Sequence, residues 1–300
     1  MKLTVFTPTY NRAYSLPTLY NSLKSQTDKR FEWLICDDGS TDQTETLIQG
    51  YMESEETFVI KYLRQDHGGK HRAQNKAIRE AEGDFFITCD SNKYLASNAV
   101  ALIISHFEEI RGIPAMCGVG GYRADFCGNV YGGEMLTKDG YVDCTNLERR
   151  KYNLGGDKAS AFYTEILRKY PFPEYDGEMF VSESAWLTPM AMDGYQIRWF
   201  PEILVYGEYT QDGLTKQGAN GYRGHFDNFF GYLHVLAMEI KAYGLDEKRV
   251  EIYEAIEIAQ KKGISWIDLC RKLNLSVVVI LKLKIRRRLG MIKRKILQYK

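Results

Sequence analysis

Short apolar runs and amphipathic segments alternate along the first hundred residues. The apolar runs predict four strands, at Leu3–Thr7, Phe31–Cys36, Phe58–Leu63 and Asp84–Cys89. Segments with apolar side chains at helical spacing follow them, at Tyr14–Ser25, Thr41–Tyr51, Lys70–Glu82 and near Ser97–Glu109. Repeated β-α-β units predict an α/β fold, in which a Rossmann-like, mostly parallel sheet carries helices on both faces.

The pattern changes twice further along the chain. Residues 111–215 are less regular and predict a second lobe of the same domain. Helical spacing returns at Tyr222–Tyr243, Lys248–Lys262 and Ser265–Leu273. We therefore divide the chain into an α/β domain over residues 1–217, with halves 1–100 and 101–217, a C-terminal helical extension over 218–273 and a tail over 274–300.

The charges are distributed unevenly between the body and the tail. The net charge of the 300 residues is +1, yet residues 269–300 carry 11 Lys or Arg and no acidic residue. The remaining residues hold 29 basic and 39 acidic side chains, a net charge of −10. An acidic body argues against nucleic acid as the partner of the main domain.

Cysteine usage and hydropathy indicate a cytoplasmic protein. The six cysteines form no Cys-x-x-Cys pair, and buried reduced thiols are the expected state in a chain of this length. The first ten residues predict a strand rather than a signal peptide. No run of about 18 apolar residues predicts a membrane-spanning helix.

Polar loops follow all four predicted strands, at Pro8–Arg12, Asp37–Ser40, Asp66–His71 and Asp90–Lys93. Ligands of such sheets bind beyond the carboxyl ends of the strands, so the four loops together predict one site. The alternative for any single loop is an ordinary polar turn. The Gly69-Lys70 pair lacks the other residues of a phosphate-binding P-loop, and His67 with His71 lacks the glutamate of an HExxH zinc motif.

Several motifs resemble those of glycosyltransferase family 2, whose members have the GT-A fold. The resemblance covers roughly residues 3–215 and is strongest over residues 3–100. It rests on Thr7–Arg12, Gln26-Thr27, Phe31-Glu32, Asp37–Asp42, Gly69-Lys70, Asn75, Ala81–Asp84 and Asp90-Ser91-Asn92. It implies a nucleotide-sugar as the donor, most simply one that carries uridine diphosphate.

The resemblance assigns donor binding to Thr7, Pro8, Thr9, Asn11, Arg12, Asp38, Lys70, Asn75, Asp90 and Ser91. Asp38 is expected to accept a hydrogen bond from the base, although capping of the next helix is an alternative role. Lys70, which follows a flexible Gly-Gly pair at a helix start, is expected to offset the phosphate charge. The alternative for Lys70 is a solvated surface lysine.

The fourth loop departs from the family pattern. Family members carry Asp-x-Asp, whose last carboxylate binds Mn²⁺ or Mg²⁺, whereas this chain has Asp90-Ser91-Asn92 followed by Lys93. An amide oxygen ligates a hard cation without contributing charge. We therefore expect either a weak divalent-cation site at Asn92 or a site in which Lys93 partly replaces the metal. A non-catalytic relative that only binds sugar nucleotides, or a partner subunit of an active transferase, is the alternative to an enzyme.

Glu183 is the candidate general base. It lies in Phe180–Trp186, a segment that resembles the acidic motif of the family, where a carboxylate begins a helix beneath the acceptor. The alternative is a helix-capping glutamate, with Asp176 and Glu178 as other candidate carboxylates. Gly155–Lys158 is expected near the acceptor.

The tail has the pattern of a basic amphipathic helix. Its apolar stripe comprises Leu281, Ile285, Leu289, Ile292 and Ile296. Such a helix favours an anionic membrane surface, with packing onto the acidic body as the alternative. The sequence thus predicts an inverting transferase that is peripheral on the inner face of the cell membrane. It is expected to add a single hexosyl or N-acetylhexosaminyl unit to a glycan or lipid-linked acceptor, in the synthesis of an envelope, capsule or exopolysaccharide. The aromatic residues of 226–232 are compatible with a homo-oligomer.

Overall fold

A nine-stranded sheet organises the α/β domain. The structure is a computed structural model that describes residues 1–209, 224–283 and 285. The strands are β1 (Leu3–Thr9), β2 (Phe31–Asp37), β3 (Val59–Arg64), β4 (Phe85–Thr88), β5 (Tyr94–Leu95), β6 (Met116–Ala124), β7 (Val142–Cys144), β8 (Lys158–Tyr163) and β9 (Gln196–Tyr206). Their order in the sheet is β3-β2-β1-β4-β8-β6-β9-β5, and β7 pairs with β9.

The two halves of the sheet pair differently. Strands β1 to β4 pair in parallel, as the β-α-β pattern predicts. In the second half, β8 is antiparallel to both β4 and β6, while β6 and β9 are parallel. Strands β5 and β7 are antiparallel to β9. The α/β architecture is confirmed, and the sheet as a whole is mixed.

Helices cover both faces of the sheet. The helices are α1 (Leu16–Lys24), α2 (Thr44–Ser54), α3 (Lys70–Glu80), α4 (Ala99–Glu109), α5 (Thr164–Leu167), α6 (Ser184–Met192), α7 (Phe229–Tyr243), α8 (Arg249–Lys261) and α9 (Trp266–Leu273). Side chains of α1, α2 and α4 pack in one core, and those of α3, α5 and α6 pack in the core on the opposite face. Neighbouring β2 residues separate between the two cores, since successive strand side chains point to opposite faces: Trp33 joins the first and Leu34 the second.

Helices α7 to α9 form the predicted C-terminal extension and have their own core. Two buried polar side chains join it to the body. The Asn228 Oδ1 atom accepts hydrogen bonds from the backbone N–H groups of Met179 and Phe180, both at 2.9 Å. The Glu178 carboxylate accepts from the first turn of α7. The predicted boundary at residues 217 and 218 lies outside the described residues.

The first part of the predicted tail belongs to the helical extension. Residues 277–283 are helical, and Ile280 and Leu283 are buried in the core of the extension. Leu281 and Ile285, which begin the predicted stripe, are exposed at 53% and 58%. Within residues 1–209, 224–283 and 285, no helix has the length and hydropathy needed to cross a membrane.

Candidate active site

A cavity of about 580 Å³ lies beyond the carboxyl ends of β1 to β4. The fold therefore brings the four polar loops together, as the sequence predicts. Most of the predicted site residues line this cavity, namely Pro8, Thr9, Arg12, Asp38, Lys70, Asp90, Ser91, Asn92 and Glu183. Thr7, Asn11 and Asn75 are not among the lining residues, and each has a partner within the protein.

Thr7 and Asn11 lie outside the cavity lining and make hydrogen bonds within the protein. The Thr7 hydroxyl accepts a hydrogen bond from the Trp33 indole N–H at 2.9 Å, and both side chains are fully buried. Asn11 has a positive φ of 52°. Its backbone N–H donates to the Ser40 hydroxyl, and its side-chain oxygen accepts from the Thr41 N–H, both at 2.8 Å. These bonds hold the loops after β1 and β2 against each other.

Asn75 holds the segment that precedes the candidate base. It lies on α3, and its side chain makes two hydrogen bonds of 2.9 Å with the backbone N–H and carbonyl of Phe172. The same amide donates to Glu174 at 2.7 Å. Asn75 therefore positions this segment of the second lobe against the first half of the α/β domain.

Asp38 organises the loop after β3. Its Oδ1 atom accepts hydrogen bonds from the Gln65 side chain and the Gly68 N–H, at 2.7 and 2.8 Å. Its Oδ2 atom accepts from the Gly69 N–H at 2.8 Å and lies 2.9 Å from His67 Nδ1. A carboxylate offers about four acceptor positions, so a base that binds to Asp38 has to replace one of these partners.

Tyr10 and His67 form an aromatic wall that the sequence reasoning did not find. Their rings stack with a centroid separation of 4.0 Å, and both residues line the cavity. Tyr10 is 41% exposed. An exposed aromatic face beside a directional acceptor such as Asp38 is suited to a planar base. Tyr10 could have been inferred from the Tyr-Asn-Arg motif, whereas only the fold shows that His67 stacks on Tyr10.

Gly69 permits a close backbone approach at the start of α3. Its φ is +94°, and a Cβ atom there would lie 2.0 Å from the Met179 carbonyl oxygen. Only glycine adopts this conformation without strain or collision. The tight turn brings Lys70, the first residue of α3, to the cavity.

The charged centre of the cavity consists of Lys70, Asp90, Lys93 and Glu183. Lys70 Nζ lies 2.8 Å from Asp90 Oδ1 and 3.4 Å from Glu183 Oε1. Lys93 contacts the other Asp90 oxygen. Although burial alone raises the pKa of Asp90, the two ammonium groups outweigh it and hold that pKa well below its usual range. Burial alone lowers the pKa of Lys70, and the Asp90 and Glu183 charges raise it above its ordinary value.

The residues of the fourth loop do not fit a divalent cation. Mg²⁺ and Mn²⁺ bind through several oxygen ligands, usually including carboxylates. Both Asp90 oxygens face ammonium groups, and Asn92 offers a neutral amide where the family pattern has a carboxylate. In the described part of the chain, no group of three or more His, Cys, Asp or Glu side chains is placed to hold a metal.

Glu183 lies at the start of α6, as the sequence predicts. Its side chain makes no capping hydrogen bond and is 53% exposed toward the cavity that it lines. The capping alternative is therefore not realised. Of the other candidate carboxylates, Glu178 is buried against α7, and Asp176 is exposed and absent from the cavity lining.

A 3₁₀ helix (Arg149–Tyr152) and the start of β8 contribute to another part of the cavity lining. Gly156 and Lys158, from the segment expected near the acceptor, line the cavity, as does Arg149. Sequence reasoning missed Arg149, because neither a motif nor a regular spacing connects it with the rest of the site.

The fold and this cavity define an α/β protein with a nucleotide-type site at the carboxyl edge of a sheet. The chain belongs to glycosyl transferase family 2, whose model matches residues 4–162. The resemblance seen in the motifs is therefore confirmed.

Two bacterial glycosyltransferases are similar to this chain over different lengths. Poly(ribitol-phosphate) beta-N-acetylglucosaminyltransferase TarS of Staphylococcus aureus is 34% identical over 116 residues, which are 37% of this chain and 20% of TarS. The chain thus matches about a fifth of that relative. GalNAc(5)-diNAcBac-PP-undecaprenol beta-1,3-glucosyltransferase of Campylobacter jejuni is 26% identical over 247 residues, 78% of this chain and 72% of that enzyme.

Solved structures show the same GT-A fold. The structure of S. aureus TarS 1–349 in complex with UDP-GlcNAc matches with a TM-score of 0.61 and 21% identity, covering 86% of this chain and 72% of that one. The mannosyltransferase PcManGT from Pyrobaculum calidifontis, in complex with GDP-Man and Mn²⁺, matches with a TM-score of 0.54 and 19% identity, covering 80% and 64%.

Proposed function

We propose that this protein is an inverting glycosyltransferase that moves one sugar from a uridine-diphosphate sugar to a glycan or lipid-linked acceptor in the synthesis of a cell-envelope polymer. The observation that carries the proposal is that Asp38, Lys70, Asp90 and Glu183 all line the same cavity. Family membership supports the reaction class. The names of the relatives, among them an N-acetylglucosaminyltransferase and a glucosyltransferase acting on an undecaprenol-linked glycan, support the donor and acceptor classes.

Glu183 acts as the general base in this proposal. Its carboxylate takes the proton of an acceptor hydroxyl, and the hydroxyl oxygen then forms a bond with the anomeric carbon of the donor sugar. The bond from that carbon to the diphosphate breaks on the opposite face, so the configuration inverts and the diphosphate leaves with the bonding electrons. The Lys70 ammonium, 3.4 Å from Glu183, stabilises the negative charge on the leaving group.

Lys93 supplies the second positive charge at the diphosphate. Its ammonium contacts Asp90 from the side opposite Lys70, and its stem packs against Gly207, where a Cβ atom would lie 2.5 Å from Lys93 Cγ. A phosphate group that displaces Asp90 from these two ammonium groups finds two cations already in place. We therefore assign to Lys70 and Lys93 the charge compensation for which the resemblance implied a divalent cation.

Release of UDP from UDP-sugars tests the proposal. The wild-type protein is expected to release UDP from at least one UDP-sugar in the presence of a glycan or lipid-linked acceptor. Because a general base contributes about 10²–10⁴-fold, Glu183→Gln is expected to lose at least a hundredfold in rate while binding UDP as tightly as the wild type. Asp176→Asn, an exposed carboxylate outside the cavity, is the matched control.

Two results would contradict this proposal. No UDP binding would remove the donor assignment, and UDP binding without any turnover would favour a sugar-nucleotide-binding relative or a partner subunit. The Asn92-Lys93 pair is the observation behind that second candidate. Comparison of the anomeric configuration of donor and product tests inversion.

The tail supports a peripheral position on an anionic membrane, the inner face of the cell membrane in this proposal. Beyond the body, Val277, Val278, Leu281 and Ile285 present an apolar face that is exposed at 43% to 59%. Lys282 is an exposed basic neighbour of this face. An apolar face flanked by cations binds anionic lipid by combining hydrophobic burial with electrostatic attraction.

A further inference from the structure

Two cationic side chains outside the charged centre, Arg149 and Lys158, line the cavity. Arg149 begins the 3₁₀ helix, and Lys158 is the first residue of β8. The Arg149 guanidinium lies over the Trp199 ring, 5.0 Å from its centroid, and the Lys158 ammonium lies 5.2 Å from the centroid of the Tyr122 ring. Both cations are therefore placed by packing as well as by hydrogen bonds.

Neither cation has a carboxylate within ion-pair distance in the described part of the chain. Arg149 donates to the carbonyl oxygens of Leu154 and Gly156 and to the Asn146 side chain. Lys158 donates only to backbone carbonyls, those of Tyr131 and Gly133. Neutral acceptors satisfy some donors but leave both positive charges uncompensated.

The nearest acidic neighbour is already engaged elsewhere. Asp157 Oδ2 accepts hydrogen bonds from Arg123 Nη1 at 2.7 Å and from the Tyr209 hydroxyl at 2.8 Å. Arg123 is itself buried, and its guanidinium lies 5.3 and 5.0 Å from the centroids of the Tyr131 and Tyr209 rings. Asp157 is therefore already paired with Arg123.

Donors remain on both side chains. A guanidinium has five N–H groups and an ammonium has three. Arg149 uses one N–H on each of its three nitrogens, so each terminal nitrogen keeps a second one. Lys158 uses two of its three. These donors and the uncompensated charges have the chemistry of an oxyanion site.

The backbone around the two cations is built for this arrangement. Gly132 has a φ of +73°, and a Cβ atom there would lie 1.9 Å from the Gly155 carbonyl oxygen. This close approach packs two segments against each other. One contains Tyr131 and Gly133, whose carbonyl oxygens accept hydrogen bonds from Lys158, and the other contains Gly156, whose carbonyl oxygen accepts from Arg149. The site is therefore a fixed part of the fold.

Burial disfavours the positive charge of both groups. Burial, and then the neighbouring Arg149 charge, lower the pKa of Lys158 to about 8, which Asp157 only partly opposes. Burial also lowers the pKa of Arg149, while Cys144, Asp157 and Glu183 raise it. Arg149 and the proposed base Glu183 line the same cavity.

We propose that Arg149 and Lys158 form a second anion site, separate from the Lys70–Lys93 pair, that binds a phosphate group of the acceptor. The acceptor class is then a phosphate-bearing glycan or a phosphate-linked lipid carrier. This inference rests on the proposed function, because it takes Glu183 as the residue that faces the acceptor. A planar guanidinium beside an ammonium matches the several oxygens of a phosphate better than a neutral sugar ring does.

Calorimetric titration of the UDP-saturated full chain tests the inference. UDP occupies the donor site, and dimethyl phosphate, which keeps one negative charge over the working pH range, probes the second site. Binding is expected in the wild type and in Lys151→Gln, which removes an exposed lysine of the same 3₁₀ helix. It is expected to weaken at least tenfold in Lys158→Gln and Arg149→Gln, and Lys158→Arg is expected to restore it. UDP affinity within twofold of the wild type shows that each variant is folded.

A pH series of the wild type gives a second readout that needs no variant. Because Lys158 faces Arg149, Asp157 and the Tyr122 ring, and the pKa of Lys158 is about 8, dimethyl phosphate binding is expected to weaken as the pH rises from 7 to 9. UDP binding with no dimethyl phosphate binding would overturn this inference alone. Tighter binding of methyl glucuronide than of dimethyl phosphate would also overturn the inference, because the site would then prefer a sugar carboxylate to a phosphate. Failure of UDP itself to bind would instead contradict the proposed function.

Discussion

Lys70 Nζ lies 3.4 Å from Glu183 Oε1, although the two residues are 113 positions apart in the chain. Lys70 begins α3 in the first half of the α/β domain, and Glu183 immediately precedes α6 in the second lobe. The contact brings the cation expected at the donor diphosphate to the carboxylate expected at the acceptor hydroxyl. Although burial lowers the pKa of Lys70, the Asp90 charge and then the Glu183 charge raise it above its ordinary value, so this side chain stays charged at neutral pH.

UDP binding is expected to depend on Lys93 and to be nearly independent of Mn²⁺. Calorimetric titration of the wild type should give UDP affinities that differ less than threefold with and without Mn²⁺. Lys93→Ala removes one of the two ammonium groups at Asp90, and we expect it to weaken UDP binding at least tenfold, about 1.4 kcal/mol. Lys169→Ala, an exposed lysine outside the cavity, serves as the control. Strengthening of wild-type UDP binding by more than tenfold with Mn²⁺ would show that a metal is used.

The same site offers the reverse experiment. In the double variant Asn92→Asp with Lys93→Ser, a carboxylate replaces the amide and Asp90 loses one ammonium partner. Two carboxylates in this loop are the usual ligands of a hard cation. UDP binding by this variant is expected to become Mn²⁺-dependent, which calorimetry with and without the metal measures. Continued indifference to Mn²⁺ would mean that the loop geometry, rather than its charge, excludes the cation.

The first half of the fold was predictable from the sequence because its segments are local and periodic. The apolar run at Phe31–Cys36, for example, becomes the fully buried strand β2. The second half was not, because its strands do not alternate regularly with helices, and β8 inserts between β4 and β6. That insertion is what carries Lys158 into the cavity, and nothing in the local pattern specifies it.

The site was predictable where a loop directly follows a strand and, at Glu183, where a segment resembles a motif of the family. Asp38, Lys70 and Asp90 all reach the cavity for the first reason. Asn75 lies one turn further along α3, so its side chain meets Phe172 instead of the cavity. Arg149 could not be predicted, because its place in the cavity depends on the path of the second lobe and no sequence motif accompanies it.

Glu178 is expected to stabilise the junction between the body and the helical extension. Its buried carboxylate accepts hydrogen bonds from the backbone N–H groups of Phe230 and Gly231, at 2.6 and 2.7 Å, in the first turn of α7. Those N–H groups have no partner within the helix, and the carboxylate also meets the positive end of the helix dipole. Glu178→Ala is expected to lower the free energy of unfolding by about 2–3 kcal/mol. Denaturant unfolding measures it, with the exposed Glu165→Ala as the control; equal losses in the two variants would contradict the role.

His71 is expected to make the protein less stable in mild acid. Burial, followed by the Arg72 charge, lowers the pKa of His71 to about 4, whereas an unfolded histidine has a pKa near 6.5. Between these values the unfolded state binds the proton and the folded state does not, so stability falls as the pH drops. From pH 7.5 to pH 5 the His71 contribution amounts to about 2 kcal/mol. Denaturant unfolding at both pH values should show that His71→Leu loses about this much less than the wild type. An identical loss in both proteins would contradict the assignment.

The exposed apolar face of the tail is expected to bind anionic membranes. Leu281 and Ile285 lie on one side of a helix whose other side, at Ile280 and Leu283, is packed into the extension, so the body leaves this face uncovered in the described residues. The full chain should sediment with vesicles that contain anionic phosphatidylglycerol and much less with neutral phosphatidylcholine, and added salt should weaken the binding. The double variant Leu281→Glu with Ile285→Glu places two negative charges on the face and is expected to reduce the vesicle-bound fraction at least tenfold.

Val250→Glu is the matched control for this experiment. Val250 is an apolar residue of α8 that is 74% exposed, and its replacement adds a negative charge away from the tail face. Its sedimentation with anionic vesicles is expected to match that of the wild type, because the loss in the double variant should depend on where the charges are placed. An equal loss of vesicle binding in Val250→Glu would show that the effect comes from the net charge of the protein and not from the tail face. No sedimentation of the wild type with either vesicle would favour packing of the basic tail onto the acidic body.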